Sequence, residues 1–316
     1  MNAPKAVSLV LLVCAGVALH SQGAIGIVNE TWLDGTRTDP VDFSEYGVDV
    51  DLDGNIESSW FSSNPAGAAV SAGHYVQATV SGSTSWQTYY TPEATPITLI
   101  NLGDSMKLTW VFTPSGVAND AAGNTGQNFR LAVVDSPSAN RLTTDVAPGA
   151  PSGGNYNGYA MFMNMDQTLR RSTPFELRER GSGTAAFLGT SADWIALGDN
   201  GGTGDPGYAS GTQYTYTFTL TRNALNGLDV VSRMEGTGLG PGGQGFLEVN
   251  LTDATPSSFS YDMFGIRPSG SATSATSFDT TSFQVEFTQA PEPGTLTLLL
   301  VGAGMAGAFY RNRRKN

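Results

Sequence analysis

The sequence predicts an all-β protein built as one large β-sandwich, a jelly roll of two facing sheets. Three observations lead there. Segments in which every second residue is apolar recur along most of the chain, as strands half-buried on a core require. Charged residues are only 14% of the 316 residues, while aromatics reach 10% and glycines number 39, a balance that favours strands and turns. No amphipathic helical pattern of useful length occurs between the two ends of the chain.

The strands can be taken in order. "GIVNETW", "HYVQATV" and "TPITLIN" open the series. "SMKLTWVFTP" places Met106, Leu108, Trp110 and Phe112 on one face. "NFRLAVVD", "GYAMFMNM" and "PFELRER" follow, and then "QYTYTFTLTR", with Tyr214, Tyr216, Phe218 and Leu220 on one face and threonines on the other. "LDVVSRME", "GFLEVNL" and "SYDMFGIR" lead to "TSFQVEFTQ", where Phe283, Val285 and Phe287 share a face. Asn-Gly pairs at 157–158 and 226–227 read as turns. A dozen short strands without a linker predict one domain over residues 25–289; two smaller sandwiches parting near the Gly-rich segment 198–211 are the alternative. The strand lengths and long loops resemble the concanavalin-A-like jelly roll of lectins and glucanases, a likeness of pattern that leaves function open.

Charge narrows the function classes. Lys5 and the cluster Arg311, Arg313, Arg314 and Lys315 lie at the extreme ends. Without them and Glu292, 11 of the 16 basic and 27 of the 28 acidic residues remain, a net charge near −16. A nucleic-acid partner, which needs a basic surface, is excluded on this ground. The single cysteine, Cys14, sits in the N-terminal apolar run, so the domain is expected to have no disulfide and no thiolate metal site.

The two ends read as export signals. Lys5 and the apolar run Ala6–Leu19 form a signal peptide, with Ser21 and Gly23 placed for signal peptidase to cut after residue 23; cleavage after Ala24 is the alternative. At the other end Pro291-Glu292-Pro293 precedes a charge-free apolar run from Thr295 to Tyr310, and then the basic cluster. Sixteen helical residues span roughly 24 Å against a bilayer core of ~30 Å, and interfacial Tyr310 with snorkelling arginines extends that reach. The expected C-terminal hydrophobic helix would halt in the membrane with Arg311, Arg313 and Arg314 on the cytoplasmic side.

This tail, residues 291–316, resembles the PEP-CTERM sorting signal of Gram-negative bacteria. Pro291, Glu292 and Pro293 match its motif, Leu298, Leu299, Gly302 and Gly304 its apolar helix, and Arg311, Arg313 and Arg314 its basic end; Gly294 and Asn312 are mild departures. The resemblance implies recognition by exosortase, an integral-membrane transpeptidase-like protease. It also implies delivery to the cell surface or the extracellular polysaccharide matrix, with the membrane as at least a transient anchor.

Within the domain "DVDLDGNIESSW" is the sharpest motif. Asp49, Asp51, Asp53, Gly54 and Ile56 fall where positions 1, 3, 5, 6 and 8 of a calcium loop lie, but Trp60 occupies position 12, where a bidentate acid is required. An EF-hand is therefore excluded, and the segment reads either as a solvated acidic loop or as a simpler Ca2+ turn of Asp49, Asp51 and Asp53 completed by Glu57 or by a carboxylate from elsewhere in the chain. Trp86, Tyr89 and Tyr90 in "SWQTYY", with Tyr156 and Tyr159 in "NYNGY", are candidates for stacking on sugar rings, against the alternative of core packing. Catalysis has little to draw on. His74 is the one histidine beyond the leader, no Glu-x-Asp-x-x-Glu glucanase motif is present, and Glu176 and Glu179 are expected on opposite strand faces, with Glu176 paired to arginine. "GTGLGPGGQG" lacks the Lys-Ser/Thr ending of a phosphate loop. The expectation is a structural or adhesive surface protein, not an enzyme, with a lectin-like glycan-binding module as the alternative.

Overall fold

The computed structural model describes residues 23–39, 43–92, 94–119, 123–137, 139, 141–146, 155–181, 186–223 and 227–291. The strands are β1 (Ile25–Glu30), β2 (Trp60–Ser62), β3 (Ala68–Ser71), β4 (His74–Ala78), β5 (Trp86–Tyr89), β6 (Ile97–Thr98), β7 (Ser105–Ser115), β8 (Phe129–Asp135) and β9 (Asn157–Met163). They continue with β10 (Phe175–Arg180), β11 (Trp194–Asn200), β12 (Tyr214–Arg222), β13 (Leu228–Glu235), β14 (Phe246–Asp253), β15 (Ser260–Tyr261), β16 (Met263–Pro268) and β17 (Ser277–Thr288). One sheet runs β14-β13-β12-β7-β17-β4-β3, with β1 also on β17; the other runs β11-β10-β9-β8-β16-β5-β2. A two-stranded ribbon, β15-β6, completes the fold. The expected all-β sandwich is what the chain forms, and Gly23–Ala290 is one compact unit.

The first sheet follows from alternation. β7 sends Met106, Leu108, Trp110 and Phe112 inward and β12 sends Tyr214, Tyr216, Phe218 and Leu220, all at most 1% exposed. β17 organises the sheet. It pairs with β7 from Ser277↔Ser115 to Thr288↔Ser105, and a bulge between Thr280 and Ser282 divides its other edge. The residues before the bulge pair with β4 and those after it with β1. Across the interface Trp110 meets Phe264 of the second sheet at 5.8 Å and Phe129 at 6.3 Å between ring centroids. Burying one such side chain contributes about 1.5–3 kcal/mol.

The second sheet is covered on both faces, which is why β8 and β9 read as continuous apolar runs. Leu131 and Val133 join the central core, whereas Ala132 and Val134 point into a second cluster with Phe43, Phe61, Tyr156, Phe162, Phe187 and Trp194. Loop residues therefore form a partial third layer over this sheet.

Several expectations are corrected in detail. Asn157-Gly158 is not a turn but the start of β9. Gly158 has φ +128°, and a Cβ there would lie 2.6 Å from the Val133 carbonyl oxygen, so glycine serves the close approach of β8. The first residues of the Gly-rich segment 198–211, Gly198–Asn200, are the end of β11. Asn226 of the other Asn-Gly pair lies outside the described residues. So do the leader up to Gln22 and the tail beyond Pro291, including Glu292, Pro293, Arg311, Arg313 and Arg314. Among the described residues no helix is long and apolar enough to cross a membrane.

Candidate functional site

The acid-rich segment lies beside the end of β1. The Asn29 N–H donates to the Ile56 carbonyl at 2.9 Å, which lays residues 55–58 alongside β1. Glu30, at the end of the strand, accepts the Trp32 N–H at 2.7 Å on one carboxylate oxygen and the Ser58 N–H at 3.2 Å on the other. Trp32 is left-handed (φ 52°) and turns the chain, so that Asp34 follows on the same side; its Oδ1 accepts the Thr36 N–H at 3.0 Å. Residues 43–58 then form a loop tied back by the Gly47 N–H to the Ile27 carbonyl at 2.9 Å.

Within that loop most acids serve the local backbone. Glu45 accepts the N–H groups of Val50 (2.7 Å) and Glu57 (2.8 Å). Asp49 accepts those of Leu52 (2.7 Å) and Gly54 (3.0 Å), and Asp51 that of Asp53 (3.3 Å). Asp53 accepts the backbone N–H of Asn55 at 3.0 Å and its Nδ2 at 2.9 Å. Leu52 (φ 67°), between Asp51 and Asp53, and Gly54 (φ 102°), after Asp53, are both left-handed.

The expected single cluster of Asp49, Asp51, Asp53 and Glu57 is therefore corrected. The carboxylates fall into two groups, Glu45–Asp49–Asp51 and Asp34–Asp53–Glu57, and within each group one oxygen per residue lies within 4.8 Å of the others. The left-handed Leu52 stands between Asp51 of the first group and Asp53 of the second. Asp34 and Glu45 were not legible as partners: Asp34 lies outside the motif, and its approach depends on the β1–Ile56 pairing.

The second group is electrostatically crowded. Glu57 is 4% exposed, and among the described residues nothing donates a hydrogen bond to its carboxylate. Burial, then the charges of Asp34, Glu30, Asp51 and Asp53, push its carboxyl up to about 9. Burial likewise raises Glu30 to about 8, against the lowering effect of the Trp32 and Ser58 N–H groups.

The aromatic candidates are core residues. Trp86, Tyr89 and Tyr90 are at most 1% exposed, and so are Tyr156 and Tyr159. Trp86 packs on Phe278 at 5.4 Å. The Tyr89 hydroxyl accepts Gln87 Nε2 (2.8 Å) and the Leu142 N–H (2.7 Å), and the Tyr159 hydroxyl donates to Asp253 (2.7 Å). With their faces occupied, none of the five can take a sugar ring, and all five tryptophans of the chain are buried.

The remaining candidates are dispersed. His74 is exposed and pairs with Asp279 at 3.0 Å. Glu176 pairs with Arg178 at 2.7 Å, as expected, while Glu179 accepts the Ser257 N–H at 2.6 Å. A polar surface groove of about 660 Å³ is lined by Gln213, Thr215, Arg233, Glu235, Gln244 and Phe246. Arg233 lies 3.8 Å above the Phe246 ring centroid and pairs with Glu235 and Glu248, each at 3.1 Å. β17 ends at Thr288, and the Ala290 N–H donates to Asp104 at 2.8 Å, so the chain reaches Pro291 directly from the sheet.

No curated protein matches the chain in sequence. Among solved structures it is similar to the exoplasmic/lumenal domain of VIP36 in a Ca2+/Man2-bound form, with 13% identity and a TM-score of 0.45 over 81% of this chain and 88% of that one. It is also similar to the carbohydrate recognition domain of Emp47p (16%, TM-score 0.41, 83% and 96%) and to peanut lectin (11%, TM-score 0.40, 72% and 90%). At the C-terminus residues 289–315 match the PEP-CTERM protein-sorting motif, so the tail that begins at Pro291-Glu292-Pro293 is a PEP-CTERM sorting signal.

Proposed function

We propose that this is an exported protein of a Gram-negative-type bacterium, with a structural or adhesive domain at the cell surface or in the extracellular polysaccharide matrix. The observation that carries this reading is the match of residues 289–315 to the PEP-CTERM sorting motif. Residues 1–23 serve as a signal peptide for signal peptidase, residues 25–289 are the sandwich domain, and residues 291–316 engage exosortase. The apolar run holds the chain in the inner membrane at least transiently, with Arg311, Arg313 and Arg314 as the cytoplasmic stop. Calcium is the cofactor of this reading, drawn to the oxygen-only acid clusters beside β1. No catalytic role is assigned. The test is to produce the chain with and without an exosortase, and with Pro291-Glu292-Pro293 replaced by alanines. The native chain should change fate with the exosortase present and the variant should not; identical fates would remove the sorting assignment.

A lectin-like module is the second reading. The observation favouring it is the groove at Arg233, where Gln213, Thr215, Glu235 and Gln244 offer hydrogen bonds to hydroxyl groups beside Phe246. Binding to exopolysaccharide that persists unchanged in Gln244→Ala and Phe246→Ala would remove the groove from consideration.

A further inference from the structure

We propose that Asp34, Asp53 and Glu57 bind one divalent cation of the calcium class, with the Asn55 side-chain carbonyl as a further ligand. The inference refines the calcium reading above and rests on it, assigning the ion to a site that includes Asp34 and leaves out Asp49 and Asp51.

Two kinds of observation meet here. The first is proximity: the three carboxylates each place an oxygen within 4.8 Å of the others. Oxygens sharing a calcium ion at about 2.4 Å each can be no more than about 4.8 Å apart. The second is unmet polarity. Glu57 is 4% exposed and its carboxylate, one of the three converging groups, receives no hydrogen bond from any described residue. Asn55 is 2% exposed and its Oδ1 has no partner. Its Nδ2 is held against Asp53 Oδ2 at 2.9 Å, and the amide geometry then leaves Oδ1 within about 5 Å of that carboxylate oxygen. A buried carbonyl without a donor is costly, and a cation at the convergence of the carboxylates would partner it together with the donor-free carboxylate of Glu57.

The ligand chemistry sets the class of ion. All the candidate atoms are oxygens, with no histidine or cysteine in the group, which suits a hard cation. The mixture of exposed Asp34, half-buried Asp53 and buried Glu57 leaves room for water in an irregular shell, which calcium accepts more readily than magnesium. Asp34 and Asp53 each accept one backbone N–H, and all three acids of Glu45–Asp49–Asp51 accept at least one; what Glu45–Asp49–Asp51 lacks is a counterpart to the donor-free Glu57 and the unpartnered Asn55 Oδ1.

The test is calorimetric titration of CaCl2 into the full-length chain, purified in detergent after EDTA treatment, with circular dichroism to confirm folding. Asp34→Asn and Glu57→Gln should each weaken binding roughly tenfold or more, while Asp49→Asn and Asp51→Asn should stay within about twofold of the native chain. Using both Asp34→Asn and Glu57→Gln keeps the test open if one variant fails to fold. Absence of calcium binding in the native chain would overturn the calcium reading as a whole. Binding that is lost in Asp49→Asn or Asp51→Asn but kept in Asp34→Asn would spare that reading and overturn this site. Binding indifferent to all four substitutions would also overturn it.

Discussion

Asp262 and Glu57 are both buried carboxylates in the same domain, and their surroundings could hardly differ more. The Asp262 side chain is 3% exposed and meets the Arg141 guanidinium at 2.8 Å. Ser136 adds its N–H and its hydroxyl, both at 2.8 Å. Arg141 in turn donates to the Thr91 carbonyl at 2.9 Å and lies over the rings of Phe43 and Tyr89 at 5.2 and 4.9 Å. Burial raises Asp262 only to about 6, because Arg141 and Ser136 pull it back down; Glu57, with acids for neighbours and no donors, reaches about 9. The contrast teaches that this fold can satisfy a buried acid when the acid is structural. On the proposal above, the bare carboxylate is the one that takes a ligand.

The largest expected effect comes from breaking the satisfied pair. Arg141→Met should cost about 3–5 kcal/mol of unfolding free energy at pH 7, because it leaves Asp262 buried without its counter-ion. The loss should depend on pH with a definite sign. A carboxyl whose folded pKa stands above its ordinary value contributes stability that is complete below about pH 4 and is lost as pH rises through the folded value. That value is about 6 in the native protein and higher without Arg141. The deficit of Arg141→Met relative to the native chain should therefore widen between pH 5 and pH 7. Urea midpoints across that range measure it, and a constant deficit would mean that Arg141 acts only through packing on Phe43 and Tyr89.

Glu57→Gln in EDTA should behave in the opposite way. With no hydrogen bond to lose and a shape-matched amide in its place, the unfolding free energy should change by no more than about 1 kcal/mol. A loss approaching that of Arg141→Met would show that Glu57 is a structural acid of the Asp262 kind, and the contrast between them would collapse.

How far each region could be read in advance follows from the same physics. β7, β12 and β17 were legible because each buries one face and wets the other. β3 and β11 were not: Ala68–Ser71 is a short, half-exposed edge strand of small residues, and Trp194–Asn200 is largely exposed and ends in Gly-Asp-Asn. β5 misled in another way. Gln87 and Thr88 are as buried as Trp86 and Tyr89, so polar neighbours gave a false sign of a surface aromatic patch. In the acid-rich loop the residue types pointed to a hard cation, and Asp53 and Glu57 do converge. Their third partner was hidden, because Asp34 reaches them only through the Asn29–Ile56 pairing, a contact no local spacing encodes.

The smallest expected effect belongs to the exposed half of that loop, where the acids shape the turn. Asp49, half-buried, holds the N–H groups of the exposed Leu52 and Gly54 at 2.7 and 3.0 Å. Asp49→Ala removes both acceptors, but the freed N–H groups can turn to water, so the loss should be about 0.5–1 kcal/mol at most. Its signature should be local: faster hydrogen exchange at the Leu52 and Gly54 amides, with the amides of β7 and β17 unchanged. If protection in those central strands fell as well, these acids would be coupled to the global fold. The distinction between turn-shaping and ligand-seeking carboxylates along residues 45–57 would then have to be redrawn.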